Sequence, residues 1–278
     1  MSSGVSVGVI IMDDSWLIKI DNVSKVFKGK GMFRNEPEVK ALDDVSLSVK
    51  KGEVLGIIGQ SGSGKTTLGK LILGLLKPSS GNISFADISS KSTGTAKPAV
   101  QVIFQDPYDS LSHMMTVEQL VAEPCIIQNR KNVDTNMIYR ALESVGLTPV
   151  ESFLHKYPHT LSGGQRQRVA IARAIITEPD MIIADEPISM LDASIGVDIL
   201  NLMLDMKEKM GITFMFITHD IAAAAYISDN IAVMKDGKIV EYGSRKQIIS
   251  DCCHEYTRSL LLSATSGKTE NEYFCSEA

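Results

Sequence analysis

An unbroken apolar run, Val54–Ile58 (VLGII), leads directly into GQSGSGKTT, and the leucines and isoleucine of the following LGKLILGLL recur at helical spacing until Pro78 and Gly81. Few patterns restrict a fold so tightly. A strand buried on both faces, then a glycine loop, then a helix, sets that loop at the carboxyl end of a parallel strand and the amino end of a helix. Gly59, Gly64, Lys65 and Thr66 satisfy GxxxxGK[ST], and the flanking elements turn the match into a phosphate-binding reading. Along Gly59, Gln60, Ser61, Gly62, Ser63, Gly64, Lys65, Thr66 and Thr67, backbone N–H groups can turn inward around phosphate oxygens. The helix terminus adds its positive end, Lys65 adds a point charge, and the Thr66 hydroxyl suits Mg2+. A second SGKT, at 266–269, lacks the first glycine, the preceding strand and the following helix, and is set aside as chance.

The rest of the chain surrounds this unit with two kinds of pattern. Upstream, LIKI, VSKVF and VSLSV read as strands, broken by a Gly- and Lys-containing interruption at 28–34; NISF and VQVIF return to β character with a polar linker between them. Residues 112–160 change character, with TVEQLVAEP and NMIYRALESVGL reading as amphipathic helices separated by polar and proline-containing joints. This predicts an inserted helical subdomain. From Val169 helices and strands alternate: VAIARAII, MIIAD, VDILNLMLDMKEKM, TFMFIT, IAAAAYIS, IAVMK, then the hairpin DGKIVEYG. Such alternation implies a mostly parallel sheet covered by helices on both faces.

MIIAD ends in Asp185, followed at once by Glu186, and carboxyl ends of parallel strands converge on the ligand crevice. Asp185 can hold the Mg2+ shell while Glu186, on the other side of the pleat, can polarise an attacking water. The plainer alternative is a solvated acidic turn before Pro187. His219 ends TFMFIT in the same way, beside Asp220, within reach of a γ-phosphate oxygen on this reading.

The segment LSGGQRQRVAIARA, at 161–174, precedes MIIADEP and FITHD in the order and spacing of the ATP-binding cassette ATPases, and the chain from about Ile18 to Leu262 resembles that family. The resemblance implies an α/β fold of the P-loop NTPase type: a RecA-like core with a mostly parallel sheet, an N-terminal antiparallel β subdomain and an inserted α-helical subdomain. It implies one ATPase domain over 16–262, with core 16–111 and 165–249 and helical subdomain 112–164, then a C-terminal helix and polar tail over 250–278. It makes Gln105 the Q-loop glutamine and a further contact to Mg2+, Glu186 the catalytic carboxylate, Asp192 the D-loop aspartate and His219 the switch histidine. Phe27 matches the aromatic that stacks on adenine, with Phe33 as a substitute. Ser162, Gly163 and Gly164, followed by Gln165, open a helix and so offer a hydroxyl and N–H groups to an anion. In the family that anion is the γ-phosphate of ATP on the other subunit, so each active site spans a dimer interface.

Finer similarity points to the second ATPase subunit of the oligopeptide, dipeptide and nickel importers. It rests on QDPYDSLSHMMTVEQLVAEP after the Q-loop and on HEYTRSLLLSA, which resembles an HPYT-type C-terminal helix. Ser112-His113 and Met190 depart from that branch's usual Asn-Pro and Ala. The implied machine binds ATP and Mg2+, pairs with a homologous ATPase subunit and two membrane permeases, and depends indirectly on an extracellular solute-binding protein. Its place is peripheral, on the cytoplasmic face of the membrane, where it would drive uptake of a peptide, nickel chelate or related solute. The alternative is a soluble cassette ATPase in a multiprotein complex, such as a phosphonate-cleaving lyase assembly.

Composition agrees with that frame. A formal net charge of −5 gives no broad cationic field for nucleic-acid phosphates. The apolar stretches fall far short of the roughly 20 residues needed to span a bilayer, and the first residues lack the charges and cleavage site of a secretory signal. Cys125, Cys252, Cys253 and Cys275 fit neither a disulfide framework nor paired zinc knuckles and read as reduced thiols; the alternative is a metal or cluster on the last three.

Overall fold

The computed structural model describes residues 16–28, 38–87, 97–106, 110–128 and 134–266. Phe33 and Cys275 lie outside the described residues. β1 (Trp16–Phe27), β2 (Val39–Lys50) and β4 (Ser80–Phe85) form an antiparallel sheet in the order β2-β1-β4. A second sheet runs β5-β6-β7-β3-β8-β9, built from β3 (Val54–Ile58), β5 (Val100–Ile103), β6 (Met181–Asp185), β7 (Thr213–Thr218), β8 (Asn230–Lys235) and β9 (Lys238–Ser244). Its pairs are parallel except β8 with β9.

The two sheets differ because their sequences do. In β2, Val45, Leu47 and Val49 are buried between more accessible Ser46, Ser48 and Lys50, the alternation of a strand with one wet face. β3 and β7 are buried at every position, as continuous apolar runs require. The pleat then divides their side chains between two cores. Leu55, Ile57, Ile183, Met215 and Ile217 pack with the antiparallel sheet and with α1 (Lys65–Ile72). Val54, Ile182, Ala184, Phe214 and Phe216 join the helical side.

That side is built from α2 (Val117–Ile127), α3 (Thr135–Ser144), α4 (Glu151–Leu154), α5 (Gly163–Ile175), α6 (Ala193–Met210) and α7 (Ile221–Ile227). α8 (Arg245–Ser250) and α9 (Glu255–Ser266) close the described chain. Two helix limits differ from the sequence expectation. α1 stops well before Pro78, because Gly74 at φ 73° takes the left-handed conformation and closes a Schellman motif, with Gly74 N–H donating to the Leu71 carbonyl and Leu75 N–H to that of Lys70. α2 continues through Pro124, where a joint was expected. The proline removes one backbone bond, but a Thr116–Gln119 capping box and the burial of Val117, Leu120, Val121 and Cys125 hold the helix on both sides of it.

Candidate active site

The phosphate loop hangs between β3 and α1 as the sequence demanded. Gly64, the last residue before the helix, has φ 103°, and a Cβ placed there would lie 2.5 Å from the Ala41 carbonyl oxygen and 2.8 Å from a Leu42 methyl. Only glycine allows that approach. Lys65 folds back into the loop: its Nζ donates to the carbonyls of Gly59 at 2.7 Å and Gln60 at 3.0 Å. Burial pushes its ammonium below the usual lysine range, against the pull of the Glu186 and Asp185 carboxylates. Ser63 Oγ is buried and has no hydrogen-bond partner among the described residues.

β6 lies beyond β7 from the phosphate loop's strand and delivers the acidic pair. Thr66 Oγ1 donates to Asp185 Oδ1 at 3.3 Å, so the first turn of α1 meets the end of β6. Burial raises the Asp185 carboxyl above the ordinary aspartate range; Glu186 adds to the rise, while the Thr66 hydrogen bond and Lys65 act against it. A carboxylate that is costly to ionise, beside a hydroxyl, is an oxygen donor set that a hard divalent cation would complete. Among the described residues no three His, Cys, Asp or Glu side chains form a self-contained metal site. Such a pair suits a hard divalent cation that, like Mg2+, uses one or two protein oxygens and takes the rest from phosphate and water. Gln105, exposed just after β5, lines the same cleft of about 400 Å³ with Thr66, Lys70, Phe104 and Asp185.

Glu186 leaves the strand with φ 52°, left-handed backbone that costs a non-glycine residue about 1–3 kcal/mol unless its surroundings enforce it. Here they do. Its N–H donates to the Ile217 carbonyl at 2.8 Å, and its own carbonyl accepts from Ser189 N–H at 3.2 Å and Ser189 Oγ at 3.0 Å. The side chain is thereby turned to the end of β7, where Oε1 lies 2.8 Å from His219 Nδ1 and Oε2 accepts from Thr218 Oγ1 at 3.4 Å. Sequence reading placed His219 near a phosphate but missed this pairing. The order of two strand ends in a sheet, β6 beside β7, was its only signal.

The LSGGQ segment forms the start of α5. Ser162 caps it, its Oγ accepting from Gln165 N–H at 3.2 Å while Gln165 Oε1 accepts from Ser162 N–H at 3.0 Å. The hydroxyl is thus an acceptor within the cap and still has its own O–H to donate. A Cβ at Gly163 would lie 3.5 Å from Leu191, and one at Gly164 only 2.7 Å from Ile195, so the signature abuts the segment that carries Asp192. Asp192 occupies the N-cap position of α6 without using its side chain there, and is exposed. Phe27 is 40% exposed at the end of β1, with Lys25 Nζ 5.2 Å over its ring. It pairs with Val39, two residues from the Ala41 carbonyl that crowds Gly64. Cys125, Cys252 and Cys253 form no disulfide among the described residues.

An anion loop with its lysine and hydroxyl faces a carboxylate pair across three parallel strands of one sheet, β3, β7 and β6, and that geometry belongs to P-loop enzymes that hydrolyse nucleoside triphosphates. The comparisons narrow the class: the family model described as "ABC transporter" matches residues 42–189, and the chain belongs to that family and is an ATPase of its type. It is 43% identical over 255 residues to an oligopeptide transport ATP-binding protein, OppF, of Streptococcus mutans, covering 88% of this chain and 80% of that one. It is 38% identical over 249 residues to the dipeptide transport ATP-binding protein DppF of Haemophilus influenzae, covering 87% and 75% respectively. Among solved structures it resembles the dimeric, post-hydrolysis cassette MJ0796 bound to ADP and Pi, with a TM-score of 0.69 and 30% identity over 82% of this chain and 99% of that one.

Proposed function

We propose that this chain is the ATP-hydrolysing subunit of an importer that takes up peptides, working at the cytoplasmic face of a membrane beside a homologous ATPase subunit and two permeases. The observation that carries the reading is the 43% identity over 88% of the chain to an oligopeptide transport ATP-binding protein. Such relatives do not favour a lyase-type soluble complex. Among the described residues no helix is long and apolar enough to cross a membrane.

Each site residue then has a task. Residues 16–262 act as the ATPase unit, with 16–111 and 165–249 as its core, 112–164 as the helical insertion and 250–278 as the C-terminal helix and tail. Phe27 stacks on adenine. The amides of the loop from Gly59 to Thr67 and the Lys65 ammonium bind the phosphates, and Thr66, Asp185 and Gln105 hold Mg2+, whose charge offsets that of the phosphate oxygens. Glu186, fixed by His219 and Thr218, accepts a hydrogen bond from the attacking water and polarises it. His219 also meets the γ-phosphate. Ser162, Gly163, Gly164 and Gln165 of one subunit meet the phosphate held by its partner, with Asp192 beside them at the interface, so full turnover requires two subunits.

The test is reconstitution of the chain with its neighbouring ATPase subunit and permeases in vesicles. ATP-dependent accumulation of a labelled oligopeptide, with ATPase activity rising on assembly, is the expected result. Full activity from a strictly monomeric chain, judged by light scattering during turnover, would refute it.

A further inference from the structure

The ATPase reading gives α9 no task, yet its first turn touches the phosphate loop. The Tyr256 hydroxyl accepts a hydrogen bond from Gln60 N–H at 3.0 Å. That N–H belongs to the same planar peptide unit as the Gly59 carbonyl, which accepts from Lys65 Nζ at 2.7 Å. Tyr256 and Lys65 therefore hold opposite ends of one peptide plane at the entrance of the loop. Rotation of that plane would break both bonds together.

The tyrosine is itself firmly placed. It is 9% exposed and packs in an apolar cluster with Ile58, at the end of β3, and with Ile221 and Ala224 of α7. Lys235 Nζ sits 5.0 Å over its ring, and its backbone N–H donates to His254 Nδ1 at 3.1 Å. The preceding turn is anchored on β9, where the Glu241 carboxylate accepts from Cys253 N–H at 2.7 Å and His254 N–H at 3.3 Å. Because α7 follows His219 directly, the same cluster touches elements leading to both sides of the site.

We propose that Tyr256 is a positioning residue of the phosphate loop: its hydroxyl fixes the Gly59–Gln60 peptide so that Lys65 and the loop amides are set for ATP before ATP arrives. The inference rests on the nucleotide reading above. The test is Tyr256→Phe in the full chain with its partner subunit, assayed well below the unfolding midpoint, so that a variant that folds less firmly is still folded. ATP affinity should fall about three- to tenfold, the worth of one net hydrogen bond, while kcat at saturating ATP stays at the wild-type value. Tyr256→Leu, which also removes the ring under Lys235, should weaken ATP binding at least as much. Unchanged ATP affinity in Tyr256→Phe, whatever its unfolding midpoint, would overturn the proposal. So would weakening in the leucine variant alone, which would make the ring the cause. A wild-type chain that binds no ATP would overturn the nucleotide reading itself, and this inference with it.

Discussion

Glu186→Gln separates the two jobs of the acidic pair. The amide has nearly the shape of the carboxylate, so its oxygen can still meet His219 Nδ1, now at 2.8 Å, and the left-handed backbone at φ 52° is unchanged by the swap. What disappears is a negative charge beside half-buried Asp185 and beside Lys65, together with the ability to polarise water. Nucleotide binding should hold or tighten, since one charge that repels phosphate is gone. The chemical step should slow by about 10²-fold or more, equivalent to about 3 kcal/mol of lost transition-state stabilisation. The dimer should therefore close on ATP and fail to reopen. ATP affinity by titration, turnover by phosphate release and dimer fraction by light scattering, all with the partner subunit present, read the three quantities separately. Near-normal turnover, or a loss of ATP binding as large as that of a loop variant, would remove Glu186 from its role and leave an acid that merely shapes a turn.

Lys65→Ala should fail at the earlier step, because it removes positive charge from the phosphates in the ground state; ATP affinity falls and no ATP-dependent dimer forms, both visible in the same titration. Asp185→Asn should stabilise the ligand-free chain at neutral pH. A folded-state pKa raised by burial means that ionising Asp185 costs stability above that pKa, and the cost vanishes below the unfolded value of about 3.9. Thermal unfolding should show the variant's advantage at pH 7 shrinking to nothing under acid, while Mg2+-dependent ATP binding is lost; an advantage that persists in acid would contradict the assigned cause.

Much of the site could be read from the sequence because its information is local. The phosphate loop carries its strand, turn and helix within one short stretch, and Asp185, Glu186 and His219 are marked as strand ends by the apolar runs before them. What could not be read is what depends on neighbours in space. The stop at Gly74 depends on which glycine takes a positive φ, and the passage of α2 through Pro124 depends on burial of the flanking turns. The Glu186–His219 pair needs β6 beside β7. The Tyr256–Gln60 bond spans 196 residues, and the HEYT segment gave only a resemblance to a C-terminal helix, with no hint of what its tyrosine touches.

The strand order also bears on how the chain is made. β3, which carries the phosphate loop, lies between β7 and β8, so both of its partners in the sheet are synthesised long after it. A ribosome adding about 5–20 residues per second leaves this wholly apolar strand without either edge covered for on the order of ten seconds or more. During that interval both of its edges are open to pairing with the wrong chain. Nascent chains that end before Thr213 should accordingly be those that holdase chaperones retain and that aggregate when released. The element that defines the enzyme is thus made well before either of the strands that enclose it.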